Sequence, residues 1–241
     1  MAAAAPPQVQ WMPPPQQGLP GCPPGLEYLT QVDQLLVNQQ IELLEIMTGF
    51  ETQNKYKVRN SLGQQVYFAA EDSNCCLRQY CGPSRPFGMQ ILDNNQREVI
   101  HLERPLRCSS WCCFCCLQTM EVQSPPGTVI GFVEQDCSLV YPWFSLKNAD
   151  GETVLKIKGP LCPCKCCYDV EFQVLSADGT QEVGKISKKW SGLAKEYFTD
   201  ADNFGVTFPM DLDVKMKAVM LAATFLIDFM FFEDNQNNRN N

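Results

Sequence analysis

Histidine and basic residues are scarce in this sequence, and their scarcity excludes several classes of protein. The chain contains one histidine, His101, which removes sites that need two or more histidines. Asp and Glu outnumber Lys and Arg by 27 to 19, and the net charge of −8 argues against a generally basic nucleic-acid-binding protein. Gly-rich phosphate loops and nucleophile elbows are also missing, so hydrolytic chemistry is not indicated.

The features of an exported protein are missing as well. No Lys or Arg precedes Lys55, and no Asn-x-Ser/Thr glycosylation acceptor occurs. The 14 cysteines therefore predict a protein of a reducing compartment, with thiols that are modified, metal-bound or buried. Most of them fall into three groups: Cys75, Cys76 and Cys81; Cys112, Cys113, Cys115 and Cys116; and Cys162, Cys164, Cys166 and Cys167.

The length of 241 residues suits one domain with tails, and the two ends differ in composition from the middle. Residues 1–25 hold 8 of the 17 prolines and no charge, which predicts a disordered, extended tail. Pro20-Gly-Cys-Pro23 has the spacing of a ligand for SH3-type modules. A flexible solvated tail is favoured over such a ligand because no basic residue flanks the prolines. The residues at 234–241 form a second polar tail.

Four pairs of alternating segments predict β-hairpins. Their turns are rich in Asn, Asp and Gly and lie at 60–63, 93–96, 148–151 and 176–179. These residues supply the positive φ angles that tight hairpins need. Four hairpins at regular spacing predict an antiparallel sandwich or barrel.

Two other segments need separate treatment. Residues 26–50 suit a helix and a strand, and periodicity does not decide between them. Residues 218–232 are apolar on every face except at Thr224 and Asp228, which predicts a helix buried in protein or in lipid. A membrane span needs about 20 apolar residues, so a core helix inside a β-barrel is favoured over a single span.

Long motifs along the chain are similar to those of one family. They include Tyr67-Phe-Ala-Ala-Glu-Asp, Gly82-Pro-Ser-Arg-Pro, Glu103-Arg-Pro-Leu-Arg-Cys-Ser-Ser, Thr199-Asp-Ala-Asp-Asn-Phe-Gly and Phe208-Pro-Met-Asp-Leu-Asp-Val-Lys-Met-Lys. Over almost all of residues 25–233 the chain resembles the phospholipid scramblases. The resemblance implies that 26–233 form a tubby-like fold, a twelve-stranded antiparallel β-barrel around a central hydrophobic C-terminal helix.

The resemblance also implies a function. It suggests calcium-dependent, ATP-independent, bidirectional scrambling of phospholipids between membrane leaflets, with Ca²⁺ as cofactor, at the cytoplasmic face of the plasma membrane. The other hypothesis is a palmitoylated, lipid-binding membrane adaptor that signals or enters the nucleus. Membrane phospholipids are the expected partners, and homo-oligomers are a further expectation.

The middle group of thiols is the candidate lipidation site. The family's equivalent segment is palmitoylated, which implies acylation here at Cys112, Cys113, Cys115 and Cys116. Several acyl chains make membrane anchoring stable, whereas one chain gives only marginal, reversible binding. A thiolate metal or iron–sulfur site shared with the 162–167 group is the alternative, although adjacent cysteines suit closed tetrahedral geometry poorly.

The acidic segment 200–211 is the candidate calcium site. It resembles an EF-hand loop, and the ligand positions implied are Asp200, Asp202, Phe204, Val206, Phe208 and Asp211. Because two of these positions carry phenylalanine, the pattern alone favours a plain acidic turn. The family resemblance favours a calcium site over that alternative, and the expected dissociation constant for calcium is about 10⁻⁴–10⁻³ M.

A lysine-rich segment is the candidate nuclear-import signal. The family's matching stretch binds importin-α, and here it comprises Gly184, Lys185, Ile186, Ser187, Lys188, Lys189, Trp190, Ser191, Gly192 and Leu193. Three lysines in ten residues also suit a solvated strand end, so the two interpretations stay open.

Overall fold

The computed structural model describes residues 10–13, 20–40, 53–74, 81, 84–107, 117–161, 169–189 and 203–233. Twelve strands and one long helix account for most of them. The strands are β1 Gln34–Gln40, β2 Lys55–Asn60, β3 Gln65–Asp72, β4 Phe87–Leu92, β5 Glu98–Arg104, β6 Thr119–Ser124, β7 Thr128–Asp136, β8 Trp143–Asn148, β9 Thr153–Lys158, β10 Val170–Ser176, β11 Glu182–Lys189 and β12 Asn203–Thr207. Helix α1, Val214–Phe231, follows β12.

The strands form a closed antiparallel barrel. Each strand pairs with its neighbour in sequence, and β1 pairs with β12 to close the sheet, with Val37 opposite Phe204. Closure leaves no strand edge open to pair with another chain. The prediction of a twelve-stranded antiparallel β-barrel is therefore confirmed.

All four predicted hairpins are present, because their turn residues satisfy the backbone locally. In the β4–β5 turn, the carboxylate of Asp93 accepts the N–H groups of Asn95 and Arg97. In the β8–β9 turn, the side chain of Asn148 accepts the N–H of Asp150 at 3.0 Å, and Gly151 adopts a φ of 82°. Such side-chain bonds favour the turn whatever the rest of the chain does.

Helix α1 fills the interior of the barrel. Asp213 caps its N-terminus by accepting the N–H of Lys215 at 2.9 Å, so the helix begins before the predicted 218. Fifteen of its 18 residues are buried, as an all-round apolar helix requires. A Cβ at Gly131 of β7 would lie 2.6 Å from the Val219 side chain, so glycine permits this close approach.

Aromatic rings on the helix pack against the inner face of the strands. Phe229 stacks on Phe87 with ring centroids 4.1 Å apart, and Phe225 lies 5.0 Å from the ring of Tyr56. The helix is thus a core helix, as favoured from the sequence. Within the described ranges, no helix combines the length and the apolar character needed to cross a bilayer.

The segment left open between helix and strand contains both. Glu27–Gln31 is a 3₁₀ helix, β1 follows it, and residues 41–50 lie outside the described part. Lys217 of α1 holds this segment in place, since its buried ammonium donates to the carbonyl oxygens of Leu29 and Val32 at 3.0 and 2.9 Å. Three carbonyls, the third from Met210 at 2.8 Å, replace the water that burial removes.

Part of the proline-rich segment packs on the barrel. Trp11 forms a parallel bridge with Gln65, and Met12 is buried in the core. The N–H of Met12 donates to the carbonyl of Gln65 at 2.9 Å. Residues 10–13 are therefore held by backbone pairing, which the composition of 1–25 does not predict; residues 1–9 and 14–19 lie outside the described part.

Removing a ring from the buried helix should destabilise the whole barrel. We expect Phe225→Ala to lower the free energy of unfolding by about 3–5 kcal/mol, because it leaves a cavity that the closed sheet cannot collapse around. Urea denaturation followed by circular dichroism measures this. The control Leu62→Ala, at a side chain 81% exposed, should stay within about 0.5 kcal/mol of the native chain. Equal effects of the two substitutions would contradict the buried position of α1.

Candidate functional site

The two ends of the barrel carry different kinds of connection. The end at which α1 begins has five connections of three to five residues, 61–64, 93–97, 125–127, 149–152 and 177–181, and is here called the turn end. The end at which α1 finishes, here called the long-loop end, has six longer ones, 41–54, 73–86, 105–118, 137–142, 159–169 and 190–202. A cavity of about 330 Å³, lined by Asp150 and Lys215 among others, lies at the turn end and contains none of the predicted site residues.

All three thiol-rich groups belong to connections at the long-loop end. The predicted lipidation residues Cys112, Cys113, Cys115 and Cys116 lie outside the described residues, in the connection that starts after Arg104 and finishes before Thr119. Connections 73–86 and 159–169 hold the other two groups, of which Cys81 is described and is half-buried. The topology thus brings the attachment points of the three groups to one end, which their spacing in sequence does not reveal.

The candidate calcium segment takes a shape different from the expected loop. Asp200 and Asp202 lie outside the described residues, while Asn203–Thr207 form strand β12. Phe204, Val206 and Phe208 are buried in the core. The strand pairs on both sides, with β1 and with β11, so its backbone carbonyls face the sheet ladder.

Strand β12 also separates Asn203, its first residue, from Asp211, and both are described residues of the candidate segment. Asn203 lies at the long-loop end, whereas Asp211 follows the strand at the turn end. The four steps from Asn203 to Thr207 span about 13 Å in extended chain, while Ca²⁺ holds its oxygen ligands within about 2.6 Å. The described part of the segment is therefore an extended strand, and among the described residues no group of three or more His, Cys, Asp or Glu could hold a metal ion; a calcium site that includes Asp200 and Asp202 stays a prediction.

The described half of the lysine-rich segment is part of the barrel wall. Gly184, Lys185, Ile186, Ser187, Lys188 and Lys189 lie in β11, paired with β10 and β12, while Trp190, Ser191, Gly192 and Leu193 lie outside the described residues. The ammonium of Lys188 is buried 3.9 Å from the ring centroid of Phe232. Recognition of this segment by importin-α stays a prediction.

A buried ionic cluster closes the long-loop end. The guanidinium of Arg85 donates to Glu71 at 2.7 and 3.0 Å and to Glu233, just past α1, at 2.5 Å. Asn54 donates to Glu233 at 3.0 Å and accepts from Gln39 at 2.8 Å. Burial acts to raise the pKa of Glu71, but its hydrogen bonds to Arg85 and the charge of Arg85 hold that pKa below its ordinary value.

A second guanidinium lies beside this cluster. Arg104 donates to the side-chain oxygen of Gln118 at 2.7 and 3.1 Å and lies 5.6 Å from the ring centroid of Phe87. Burial lowers the pKa of Arg104 to about 10. The rings of Phe87 and Phe229 thus stack between the two guanidiniums, Arg85 lying 4.8 Å from Phe229. The cluster joins strand ends to the end of the helix, which is a structural role.

Sequence reasoning did not find this cluster, although its residues lie in quoted motifs. Glu71 belongs to Tyr67-Phe-Ala-Ala-Glu-Asp and Arg85 to Gly82-Pro-Ser-Arg-Pro. The sequence signal for a buried ion pair was an ionisable residue next to apolar or turn-forming residues in each motif. Their pairing could not be inferred, because 14 positions separate them along the chain.

Comparisons with known proteins agree with these motifs. A family model described as Scramblase matches residues 12–234. Over 229 residues the chain is 64% identical to phospholipid scramblase 2 of Bos taurus, covering 95% of this chain and 78% of that protein. This chain belongs to the phospholipid scramblase family. Its relatives in the family include phospholipid scramblase 1 of Homo sapiens, 63% identical over 93% of this chain and 70% of the relative. They also include phospholipid scramblase family member 5 of Homo sapiens, which is 51% identical over 88% of this chain and 78% of the relative. No solved structure matches this chain significantly.

The buried cluster makes the stability of this chain depend on pH. The pKa of Glu71 is lower in the folded chain than its ordinary value of 4.5. Ionised Glu71 therefore contributes to the free energy of unfolding above pH 4.5, and this contribution is lost as the pH falls through the lowered pKa. We expect Glu71→Gln to lower the free energy of unfolding at pH 7 by about 3–5 kcal/mol. The free energy of unfolding of this variant should also fall less steeply below pH 4.5 than that of the native chain. Urea denaturation across pH 3–7 measures both.

An exposed ion pair of the barrel provides the control. Glu171, which accepts from Lys185 at 3.1 Å, is 55% exposed. Glu171→Gln should change the free energy of unfolding by less than about 1 kcal/mol. A Glu71→Gln variant that unfolds with the native stability and the native pH dependence would refute the role assigned to the cluster.

Proposed function

We propose that this chain moves phospholipids between membrane leaflets in both directions, without ATP and in response to calcium. The observation that carries the proposal is its 63% identity to human phospholipid scramblase 1 over 93% of this chain. The name of that relative supplies the substrate class, and the family resemblance supplies the calcium dependence. Membrane phospholipids are thus the proposed partners and the cytoplasmic face of the plasma membrane the proposed location.

The filled barrel constrains how lipid could move. A polar headgroup crossing hydrocarbon needs a hydrophilic path, because unsatisfied polar groups are costly there. Helix α1 occupies the interior of the described barrel with apolar side chains. We therefore propose that headgroups pass along the outside of the barrel, where oligomerisation or local deformation of the bilayer provides the path.

Acylation is the proposed means of membrane attachment. Palmitate on Cys112, Cys113, Cys115 and Cys116 would contribute about 0.8 kcal/mol for each buried methylene, and several chains make the attachment stable. The connection that carries these thiols belongs to the long-loop end. The proposal therefore orients this end of the barrel toward the membrane.

The second candidate function is an acyl-anchored, lipid-binding adaptor with a signalling or nuclear role. The apolar filling of the barrel favours it, since an adaptor needs no path for headgroups. This adaptor would bind SH3-type modules through residues 1–25 and importin-α through residues 184–193. Self-association is compatible with either function.

Leaflet exchange in vesicles distinguishes the two functions. We expect the purified full chain, in liposomes with a fluorescent phospholipid, to accelerate exchange when calcium is added and no ATP is present. Asp200→Asn with Asp202→Asn should abolish the calcium response, while Asp211→Asn should preserve it, because β12 places Asp211 at the turn end. Dithionite quenching of the outer-leaflet fluorophore measures the rate. Exchange no faster than in empty vesicles would refute scrambling and favour the adaptor.

Acylation can be tested on the same chain in cells. Replacing Cys112, Cys113, Cys115 and Cys116 by serine should abolish palmitate labelling and lower the share of the chain in the membrane fraction. The matched control is Cys137→Ser, an exposed thiol at the same end of the barrel, which should leave both unchanged. A chain that keeps its label in the fourfold variant would contradict the assigned site.

A further inference from the structure

Exposed apolar side chains are unevenly distributed over the barrel. Among the described residues, the large ones are Leu62, Leu106, Leu139, Val140, Leu161 and Met210. Four of these lie at the long-loop end, where they are 52–88% exposed, and are here called the apolar tips: Leu106, Leu139, Val140 and Leu161. Single exposed apolar residues are ordinary on protein surfaces, but several at one end indicate a contact surface.

The apolar tips lie on neighbouring connections. The β7–β8 connection, which carries Leu139 and Val140, is joined to the start of the β9–β10 connection by a hydrogen bond of 2.8 Å from Gly159 N–H to the Pro142 carbonyl. Leu161 follows two residues later. Three of the tips, Leu139, Val140 and Leu161, thus lie on adjoining parts of one rim, and Leu106 lies on the β5–β6 connection at the same end.

Aromatic and cationic groups lie just behind the tips. The ammonium of Lys158 lies 4.7 Å from the ring centroid of Tyr141 and 5.6 Å from that of Trp143. Tryptophan, tyrosine and lysine side chains, each with an apolar body and a polar end, favour the boundary between hydrocarbon and headgroups. Apolar tips outermost, with such residues behind them, match the order of layers at a bilayer surface.

We propose that the apolar tips insert into the headgroup–acyl boundary of a lipid bilayer, so that the barrel rests on the membrane by its long-loop end without acylation. A bilayer suits separate protruding side chains, whereas a protein partner requires a continuous complementary surface. The thiol-rich connections leave the same end, so acyl chains and tips would enter the same leaflet. The inference rests on the proposed membrane role of the chain and is independent of lipid transfer.

Vesicle binding by the full chain, produced without acyl groups, tests the inference. Leu139→Asp with Val140→Asp should lower partitioning into vesicles of phosphatidylcholine and phosphatidylserine by about tenfold, because charged groups are expelled from the acyl boundary. Leu62→Asp with Met210→Asp adds the same two charges at exposed positions of the turn end and should leave partitioning unchanged. Sedimentation with the vesicles measures both, and circular dichroism checks that the variants are folded.

A gain-of-function variant keeps the test decisive if the aspartates disturb folding. Leu139→Trp should strengthen binding and place an indole within reach of brominated lipid, which quenches its fluorescence, while Leu62→Trp should add no quenching. Equal quenching for the two tryptophans, equal binding by the two aspartate pairs, or dimerisation through the tips without vesicle binding would overturn the inference. A chain that docks by its tips but exchanges no lipid would refute scrambling and leave the inference standing.

Discussion

A helix that is apolar on every face must be covered on every face, and the rest of this structure follows from that requirement. Helix α1 is too hydrophobic to lie on a surface, and the twelve strands close completely around it. The aromatic rings of the helix define the inner packing of the sheet, as in the stacked pair Phe87 and Phe229. The same burial fills the interior of the described barrel with the side chains of the helix.

The two ends of the barrel differ in the length and composition of their connections. Short turns with locally satisfied backbones close one end, where the buried ammonium of Lys217 bonds three carbonyls and aligns the start of α1. The other end carries the long connections, the thiol-rich segments and the apolar tips. Arg85, Glu71 and Glu233 form a rigid ionic base beneath them. This cluster holds together the end of α1 and the strand ends from which the long connections leave.

Secondary structure could be predicted from the sequence where the stabilising contacts join adjacent residues, but not where they join residues that are distant in the chain. Asp93 and Asn148 bond their own turns, so hairpins could be assigned from a few adjacent residues. Residues 26–50 satisfied both helical and strand periodicity, and only pairing with β2 and β12 made Gln34–Gln40 a strand. The EF-hand-like spacing of Asp200, Asp202 and Asp211 predicts a loop, but sheet pairing makes Asn203–Thr207 strand β12, and a calcium site in this segment stays a prediction.

The hairpins, the burial of the C-terminal helix and, through the motifs, the family could all be inferred from the amino-acid sequence. These follow from turn chemistry, from hydrophobicity and from long stretches of matching residues, all of which can be read without knowing which strands are neighbours. Three other features became visible only in the folded barrel: the thiol-rich connections share one end, Arg85 pairs with Glu71 and Glu233, and Asp211 lies at the other end. Each of these depends on how the closed sheet positions residues that are distant in sequence, which no local pattern encodes.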